Sequence, residues 1–251
     1  MKRDPSKVAL VTGAGRGIGL EVARLLLAKG YRVLAVSREG VDAQKLGGPS
    51  ERLRAECADV TDYAAMQALV DGAREAWGPV SVLMNNAGIS PKQANGNSSG
   101  ILDIAPAEWD LVLQVNLTSI LRLCQMVLPA MRDQGWGRIV NVSSLAGRAK
   151  SLVAGGSYMA SKAGVLGLTR AIAAEMGPFG ITANAVTPGR ILTEMAQQAA
   201  PSVNENYAAQ IPARRLGTPE EVAAAMVFLA AEESGFINGA ILDVNGGFYM
   251  P

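Results

Sequence analysis

Short apolar runs alternate with longer amphipathic stretches along the whole chain, a pattern typical of strands that are each followed by a helix. The short runs are rich in β-branched residues, as strands usually are. The predicted strands are Val8–Val11, Arg32–Val36, Arg52–Cys57, Val80–Met84, Arg138–Val142, Thr182–Val186 and Ile241–Val244. Strands alternating with helices predict an α/β fold: a doubly wound parallel sheet of about seven strands with helices on both faces.

Several of the intervening helices have recognisable ends. Thr61 is the expected N-cap of one helix, Pro106 suits the first position of another, and Gly30 stops the first. Thr218-Pro219-Glu220-Glu221 reads as an N-cap, a first-turn proline and a capping-box glutamate. The predicted helices are Ile18–Lys29, Thr61–Trp77, Pro106–Arg132, Tyr158–Met176 and one that follows Thr218.

No linker, repeat or break in composition divides the chain, so we expect residues 1–251 to form a single nucleotide-binding domain. Ser90–Gly100 is polar and rich in glycine, asparagine and serine, which predicts a surface loop. Leu192–Ile211 is weakly patterned. It is interpreted either as a packed pair of helices or as a substrate lid over about 190–212.

Composition narrows the function classes. Lys plus Arg total 23 and Asp plus Glu total 22, so no net charge favours nucleic acid or an anionic membrane. The chain has no histidine, which excludes a Ser-His-Asp triad, a Cys-His pair and a His-ligated metal, and we expect no metal site. Cys57 and Cys124 are expected to be buried small apolar groups. Met1–Lys7 carries no apolar signal-like run, which favours a cytoplasmic setting.

The first strand runs into a glycine-rich turn, Thr12–Gly19 (TGAGRGIG), that opens the first helix. Glycines at such positions allow a tight turn, close approach of the backbone to a pyrophosphate, and close packing of helix on strand. The first helical N–H groups then face the phosphates. A glycine-rich turn is weak evidence alone, but between a strand and a helix it predicts dinucleotide binding.

The end of the second strand should select the cofactor. A carboxylate there would accept a hydrogen bond from the ribose 2′-OH of NAD, but Ser37 occupies that position and Arg38 follows it. Arg16 in the glycine turn lies on the same side. Two guanidinium groups beside a small hydroxyl favour the 2′-phosphate of NADP. The alternative is a solvated Arg38, with Glu39 serving as the carboxylate of an NAD site.

Tyr158 and Lys162 are four residues apart, and therefore lie on one face of a helix. A phenol is a poor base at neutral pH, but a nearby ammonium group favours the phenolate and is expected to lower its pKa. Upstream, the fifth strand ends in Asn141-Val142-Ser143-Ser144. Its hydroxyls lie at the edge where parallel sheets bind their ligands.

Together these motifs resemble the short-chain dehydrogenase/reductase family. The resemblance runs from about Lys7 to Gly247 in the family's order, and it implies a Rossmann-type sheet. It is carried by Thr12–Gly19, Asn85-Asn86-Ala87-Gly88, Asn116, Ser144, Tyr158-x-x-x-Lys162 and Pro188-Gly189.

The resemblance implies hydride transfer between a nicotinamide cofactor and a carbonyl or secondary alcohol, with the protein supplying orientation and proton exchange. Tyr158 would exchange the proton, Lys162 would lower its pKa and hold the ribose, and Ser144 would bind the carbonyl. Asn116 would position Lys162 and a water relay. The implied cofactor-binding residues are Gly13, Gly15, Arg16, Gly17, Ile18, Gly19, Ser37, Arg38, Asp59, Val60, Asn86, Ala87, Gly88, Tyr158, Lys162, Pro188, Gly189 and Thr193.

The family includes ketone reductases, polyol dehydrogenases and 3-oxoacyl-carrier-protein reductases. The last dock their acidic carrier through two basic positions, which here are Gly135 and Phe179, although Arg132 is near. A carrier-protein reductase is therefore an alternative, and a non-catalytic nucleotide sensor is a second. Ser144 and Tyr158 are one residue further apart than in close relatives.

Three cations flank the expected substrate pocket, Arg148, Lys150 and Arg190. They are interpreted as solvated charges, subunit contacts or ligands of a substrate anion. The helix segment Leu111–Val127 is apolar on more than one face, and the C-terminal run Gly246–Pro251 ends in apolar groups. Both features, with the family resemblance, predict a homotetramer.

Overall fold

The computed structural model describes residues 7–151, 153–193 and 201–251. Seven strands form one all-parallel sheet in the order β3-β2-β1-β4-β5-β6-β7. The order reverses between β1 and β4, and their carboxyl ends form the crevice where such sheets bind nucleotides. The strands are β1 (Val8–Thr12), β2 (Arg32–Ser37), β3 (Leu53–Cys57), β4 (Val80–Asn85), β5 (Gly137–Val142), β6 (Ile181–Pro188) and β7 (Ile241–Val244).

Helices cover both faces of the sheet, and the predicted α/β fold is confirmed. Alternate residues of β1 point to opposite cores: Ala9 and Val11 pack with α1 and α7, and Val8 and Leu10 with α2, α4 and α5. The helices are α1 (Gly17–Ala28), α2 (Tyr63–Trp77), α3 (Pro106–Leu113), α4 (Ser119–Gln134), α5 (Gly156–Met176), α6 (Pro201–Gln210) and α7 (Pro219–Leu229).

The boundary of one helix differs from the prediction. Asp62, not Thr61, is the N-cap of α2, and its carboxylate accepts the Ala65 N–H at 3.0 Å. Thr61 instead donates both its N–H and its hydroxyl to Asp59. The Asp59 carboxylate, two residues before Thr61, therefore binds the Thr61 hydroxyl that was expected to cap the helix. The capping box at Thr218 and Glu221 forms as predicted.

The predicted single helix from Pro106 to Arg132 is interrupted by a π-helical turn, Gln114–Thr118, and continues to Gln134. By length and composition alone the stretch Pro106–Gln134 could cross a membrane. Part of its apolar character is accounted for by packing, because Ile120, Leu123 and Val127 are buried against the sheet.

The two segments without strong periodicity differ in character. Ser90–Gly100 contains only turns and irregular backbone, as a surface loop should. Of the predicted lid over 190–212, residues 194–200 lie outside the described residues, and α6 forms most of the remainder. The substrate-lid role therefore stays a prediction.

Candidate active site

The turn after β1 brings helix and strand into close contact. A Cβ on Gly19 would lie 2.2 Å from the carbonyl oxygen of Gly13, so no larger residue fits there. Gly13 and Gly17 have φ of +65° and +53°, in the region that favours glycine. The N-cap of α1 is Arg16, whose guanidinium group has only donors and cannot cap the helix, so the first-turn N–H groups are left for another acceptor.

Thr12 and Asn86 hold this turn against β4. The Thr12 hydroxyl accepts the N–H groups of Asn86 and Ala87 at 3.1 and 3.2 Å. The Asn86 amide donates to the carbonyls of Thr12 and Gly13 at 3.0 and 3.2 Å. This role of Thr12 was not predicted from the glycine-rich motif. Its signal was a hydroxyl ending an otherwise apolar strand.

The residues expected to select the cofactor lie around Gly15. A Cβ on Gly15 would be 2.9 Å from the Ser37 hydroxyl, so the turn and the end of β2 are in contact. Glu39 lies 3.7 Å from both the Arg16 and the Arg38 guanidinium groups. These side chains are more than half exposed, and such pairs contribute little to stability. The arginines are therefore brought together beside Ser37 and are accessible to a ligand.

Asp59 lies beyond the end of β3, with the buried Val60 next to it. Burial alone would raise the pKa of Asp59. Hydrogen bonds from the Thr61 hydroxyl and N–H, together with the charge of Arg38, outweigh burial and hold that pKa below its usual value. The carboxylate is therefore ionised and fixed beside the second strand. Cys57, expected to be buried, is exposed, and its thiol lies 3.2 Å from the Arg38 carbonyl.

The first two turns of α5 carry Tyr158 and Lys162. The Lys162 side chain is buried, and its Nζ donates to the Val142 carbonyl at 2.8 Å. Burial lowers the pKa of Lys162 to about 8. Burial also raises the pKa of Tyr158, while a hydrogen bond with the Ser144 side chain acts in the opposite direction. The expected lowering of the Tyr158 pKa by Lys162 is therefore not found, because desolvation dominates.

Asn116 reaches this site from the π-helical turn. Its Oδ1 accepts the Ile89 N–H at 2.8 Å, and its Nδ2 donates to the Ile89 carbonyl and to the Ser161 hydroxyl. A Cβ on Gly88 would lie 3.3 Å from both Asn116 Oδ1 and Lys162 Nζ. Gly88 thus packs closely against the amide and the ammonium group, and a side chain at this position would crowd both.

The end of β6 borders the same crevice. Gly189 follows Pro188, and a Cβ there would lie 2.9 Å from the Asn245 side chain. The Thr193 methyl lies 3.4 Å from the position a Cβ would take on Gly17, so this segment faces the glycine turn. The cofactor residues predicted from β1, β4 and β6 are thereby brought to one crevice.

The three predicted substrate cations have different surroundings. Arg148 pairs with Asp243 at 2.7 Å, so its interpretation as a solvated charge or substrate ligand is replaced by an intramolecular contact. Lys150 is exposed. Arg190 donates to Asn204 at 3.0 Å and lies 5.5 Å from the Tyr207 ring centroid, and burial lowers its pKa.

The loop Ser90–Gly100 is bound to the segment before Tyr158. Lys92 donates to the Ser98 hydroxyl and to the Val153 carbonyl, and Ser98 donates to the same carbonyl at 3.0 Å. Glu108 of α3 accepts the hydroxyls of Ser99 at 2.6 Å and Ser157 at 2.9 Å. The loop therefore has fixed contacts next to α5, which the sequence did not reveal.

The two positions compared with a carrier-protein docking site lie at the opposite end of the sheet. Gly135 ends α4 with φ +65°, and Phe179 is 41% exposed, with the Arg132 guanidinium 5.9 Å from its ring centroid. Neither position is basic. Within residues 7–151, 153–193 and 201–251, no cluster of three or more Cys, Asp or Glu side chains could hold a metal ion.

The chain is similar to known proteins over nearly its full length. A family model described as "Enoyl-(Acyl carrier protein) reductase" matches residues 13–249. The chain is 42% identical to the acetoacetyl-CoA reductase of Rhizobium meliloti over 98% of this chain and 99% of that protein. It is 38% identical to the 3-oxoacyl-[acyl-carrier-protein] reductase of Escherichia coli, over 97% and 98% of the two chains. A crystal structure of a Brucella melitensis 3-oxoacyl-[acyl-carrier protein] reductase with bound NAD superposes with a TM-score of 0.86 at 35% identity, covering 98% of this chain and 94% of that one.

Proposed function

This chain belongs to the short-chain dehydrogenase/reductase family, and we propose that it uses NADP(H) to reduce the ketone of a 3-oxoacyl thioester. The family assignment makes it a nicotinamide-dependent oxidoreductase acting on a carbonyl or its alcohol. It also argues against the non-catalytic alternative. The single observation that carries the proposal is the convergence of Asn116, Ser144, Tyr158 and Lys162 at the carboxyl ends of β4 and β5.

The crevice fits a dinucleotide. The glycine turn lets a pyrophosphate approach the backbone at the start of α1, and the absence of a side chain at Gly88 leaves the nearby Lys162 ammonium group uncovered on that side. The residues that would hold the cofactor are those of the turn, Asp59 and Val60 near the adenine end, and the 86–88 and 188–193 segments. When bound, the cofactor supplies the hydride.

NADP rather than NAD is favoured by the side chains beside Ser37. Arg16 and Arg38 present two guanidinium groups on the same side of the turn, and a 2′-phosphate suits them better than a 2′-OH does. Glu39 lies between them and is the group that would favour NAD. A relative of this chain is described with bound NAD, so both cofactors belong in the test.

The proposed proton donor is Tyr158. Its raised pKa keeps the phenol protonated at neutral pH, as donation to the ketone oxygen requires. The Ser144 hydroxyl lies beside Tyr158, and on substrate binding it would turn its single O–H to the same oxygen and stabilise the developing alkoxide. Lys162 uses one N–H on Val142 and retains two for a ribose hydroxyl or a proton relay. Asn116 fixes Ile89 and Ser161, which border this site.

A coenzyme A thioester is a better substrate candidate than a carrier-bound one. Relatives named as acetoacetyl-CoA reductases are 42% and 41% identical to this chain. At the two positions that correspond to the docking residues of carrier-protein reductases this chain has Gly135 and Phe179, neither of which is basic, although the Arg132 guanidinium group lies beside Phe179. We therefore expect the thioester to be recognised without a docked carrier protein.

The proposal is tested by a substrate panel. Acetoacetyl-CoA, the same acyl group on a carrier protein, simple ketones, keto acids and polyols are each assayed with NADPH and NADH. We expect the highest kcat/KM for acetoacetyl-CoA with NADPH. A clear preference for NADH would refute the cofactor assignment. A preference for polyols or keto acids, with no turnover of either thioester, would refute the substrate class.

We also infer a homotetramer. Trp109, Leu111 and Leu121 are 38%, 53% and 40% exposed on the outer side of α3 and α4, and a second subunit could cover them. The C-terminal run supports this inference less than the sequence suggested. Phe248 packs against Tyr207 with ring centroids 5.7 Å apart, which leaves Met250 and Pro251 as the exposed apolar side chains of the run. A cytoplasmic location is inferred in line with the two free cysteines.

A further inference from the structure

The turn that begins at Ser144 connects β5 to the loop preceding the catalytic helix. The Ser144 hydroxyl accepts the Ala146 N–H at 3.1 Å, and its carbonyl accepts the Gly147 N–H at 2.9 Å. These bonds make Leu145–Gly147 a short 3₁₀ turn capped by Ser144. The orientation of the Ser144 side chain therefore depends on where this turn lies.

On one side, the turn is packed directly on α5. A Cβ on Gly147 would lie 2.7 Å from the carbonyl carbon of Lys162 and 2.9 Å from the Ala163 nitrogen. The Ser143 hydroxyl also donates to the Lys162 carbonyl at 2.7 Å. The backbone of the Ser144 turn thus contacts the backbone of α5 at the helical turn that contains Lys162.

On the other side, the turn is tied to β7 by Arg148. Its Nη1 lies 2.7 Å from Asp243 Oδ2, and both side chains are 17% exposed. The other oxygen of Asp243 accepts the Thr187 hydroxyl at 2.5 Å, and the Arg148 guanidinium lies 5.0 Å from the Tyr249 ring centroid. A largely buried pair with additional partners is screened little by solvent and fixes its geometry better than a surface pair.

We propose that Arg148 and Asp243 are positioning residues, whose ion pair holds the Ser144 turn against the catalytic helix. The inference rests on the proposed function of Ser144 and Tyr158. It also gives Arg148 a role other than binding a substrate anion. Because the pair joins residues 95 positions apart, it couples β7 and the C-terminal segment to the active-site hydroxyl.

The effect should be visible in the titration of Tyr158. The Ser144 hydrogen bond lowers the pKa of Tyr158, while burial raises it, and the neighbouring titratable group on α5 is Lys162. If the turn moves when the ion pair is broken, that hydrogen bond weakens. The pKa of Tyr158 then rises further, which a general loss of stability would not cause.

The experiment compares Asp243→Asn and Arg148→Gln with the unmodified protein. The control is Arg74→Gln, which breaks the exposed Arg74–Asp71 pair on α2 at 3.0 Å. Tyrosinate absorbance is titrated in each protein and in the same protein carrying Tyr158→Phe, so that the difference isolates Tyr158 without turnover. The pH profile of kcat and KM is measured on the best substrate of the panel.

We expect both variants to raise the Tyr158 pKa, to move the alkaline limb of the kcat profile to higher pH, and to lower kcat about 10- to 100-fold at neutral pH. The control should match the unmodified protein. The doubly substituted Arg148→Asp/Asp243→Arg protein should recover part of the loss. If the single variants fold poorly, Tyr249→Leu, which removes only the ring beside Arg148, should give a smaller shift in the same direction.

Two results would overturn the inference. One is an unchanged Tyr158 titration in folded Asp243→Asn. The other is full activity in Asp243→Asn while Arg148→Gln loses activity on anionic substrates alone, which would make Arg148 a substrate ligand. Failure of the proposed function is separate. It would appear as an unmodified protein inactive on the whole panel, and the tyrosinate titration would still test the ion pair.

Discussion

Replacing Lys162 with methionine should destroy activity and yet stabilise the protein at neutral pH. Lys162 is 3% exposed, and its Nζ donates to the Val142 carbonyl. Burial lowers its pKa to about 8 from the ordinary 10.5, so the folded protein binds this proton more weakly than the unfolded chain does. At pH 7 the charged lysine therefore reduces the free energy of unfolding, by about 3 kcal/mol at ~1.4 kcal/mol per pKa unit.

Methionine has a similar length and no charge, but it cannot donate to Val142. The carbonyl left without a donor costs about 1–3 kcal/mol at every pH. The net gain at pH 7 should consequently be small, between about 0 and 2 kcal/mol. The change of this stability difference with pH is a sharper test, because the cost of the unpaired Val142 carbonyl is the same at every pH and cancels.

The sign follows from the lowered pKa. Below about pH 8 the lysine is charged in both states, and its burial cost is fully present. Between about 8 and 10.5 the folded protein has lost the proton that the unfolded chain still binds, so the unmodified protein gains stability as the pH rises. The stability advantage of Lys162→Met should therefore shrink by about 2 kcal/mol between pH 7 and ~9.5.

Urea unfolding followed by tryptophan fluorescence measures this difference at one protein concentration and two pH values. Lys29→Met, at an exposed position after α1, is the matched control and should show no such change. An advantage that stayed constant or grew with pH would refute the assignment of a strongly desolvated Lys162. Turnover by the methionine variant should fall at least ~10²-fold.

Four further predictions concern the site and the assembly. Tyr158→Phe should lower turnover at least ~10²-fold with little change in cofactor affinity measured by fluorescence titration, and near-normal turnover would contradict its role. Arg38→Asp should shift the ratio of kcat/KM values from NADPH toward NADH, because it repels a 2′-phosphate and accepts from a 2′-OH. If Arg190 binds a substrate carboxylate or phosphate, Arg190→Ala should lose roughly 10- to 150-fold in kcat/KM on anionic substrates and much less on neutral ketones, whereas equal losses would indicate a structural role. Light scattering at micromolar concentration should give a tetramer mass, and a monomer would reject the inferred assembly.

The local rules of the chain were enough to predict the sheet and its glycine turn. Strand runs and helical periodicity depend on neighbours within a few residues, so the seven strands and the capping box at Thr218 followed from the sequence. The pairing of Tyr158 with Lys162 also needs only helical spacing. The predicted N-cap of α2 was wrong, because Asp59 binds the Thr61 hydroxyl and Asp62 accepts the Ala65 N–H in its place. Sequence propensities do not rank such competing side chains.

Other features depended on contacts between distant parts of the chain. The π-helical turn at Asn116 leaves no mark in the periodicity, yet it sets the direction of the amide toward Ile89. Desolvation raises the pKa of Tyr158, and the burial that causes it exists only in the packed protein. The sequence placed Arg148 beside the expected substrate pocket, but the fold pairs it with Asp243. Local sequence patterns thus specify which elements form and which residue types lie at the carboxyl edge of the sheet. The partners and protonation of those residues depend on the packing of segments far apart in the chain, so they follow from the fold alone.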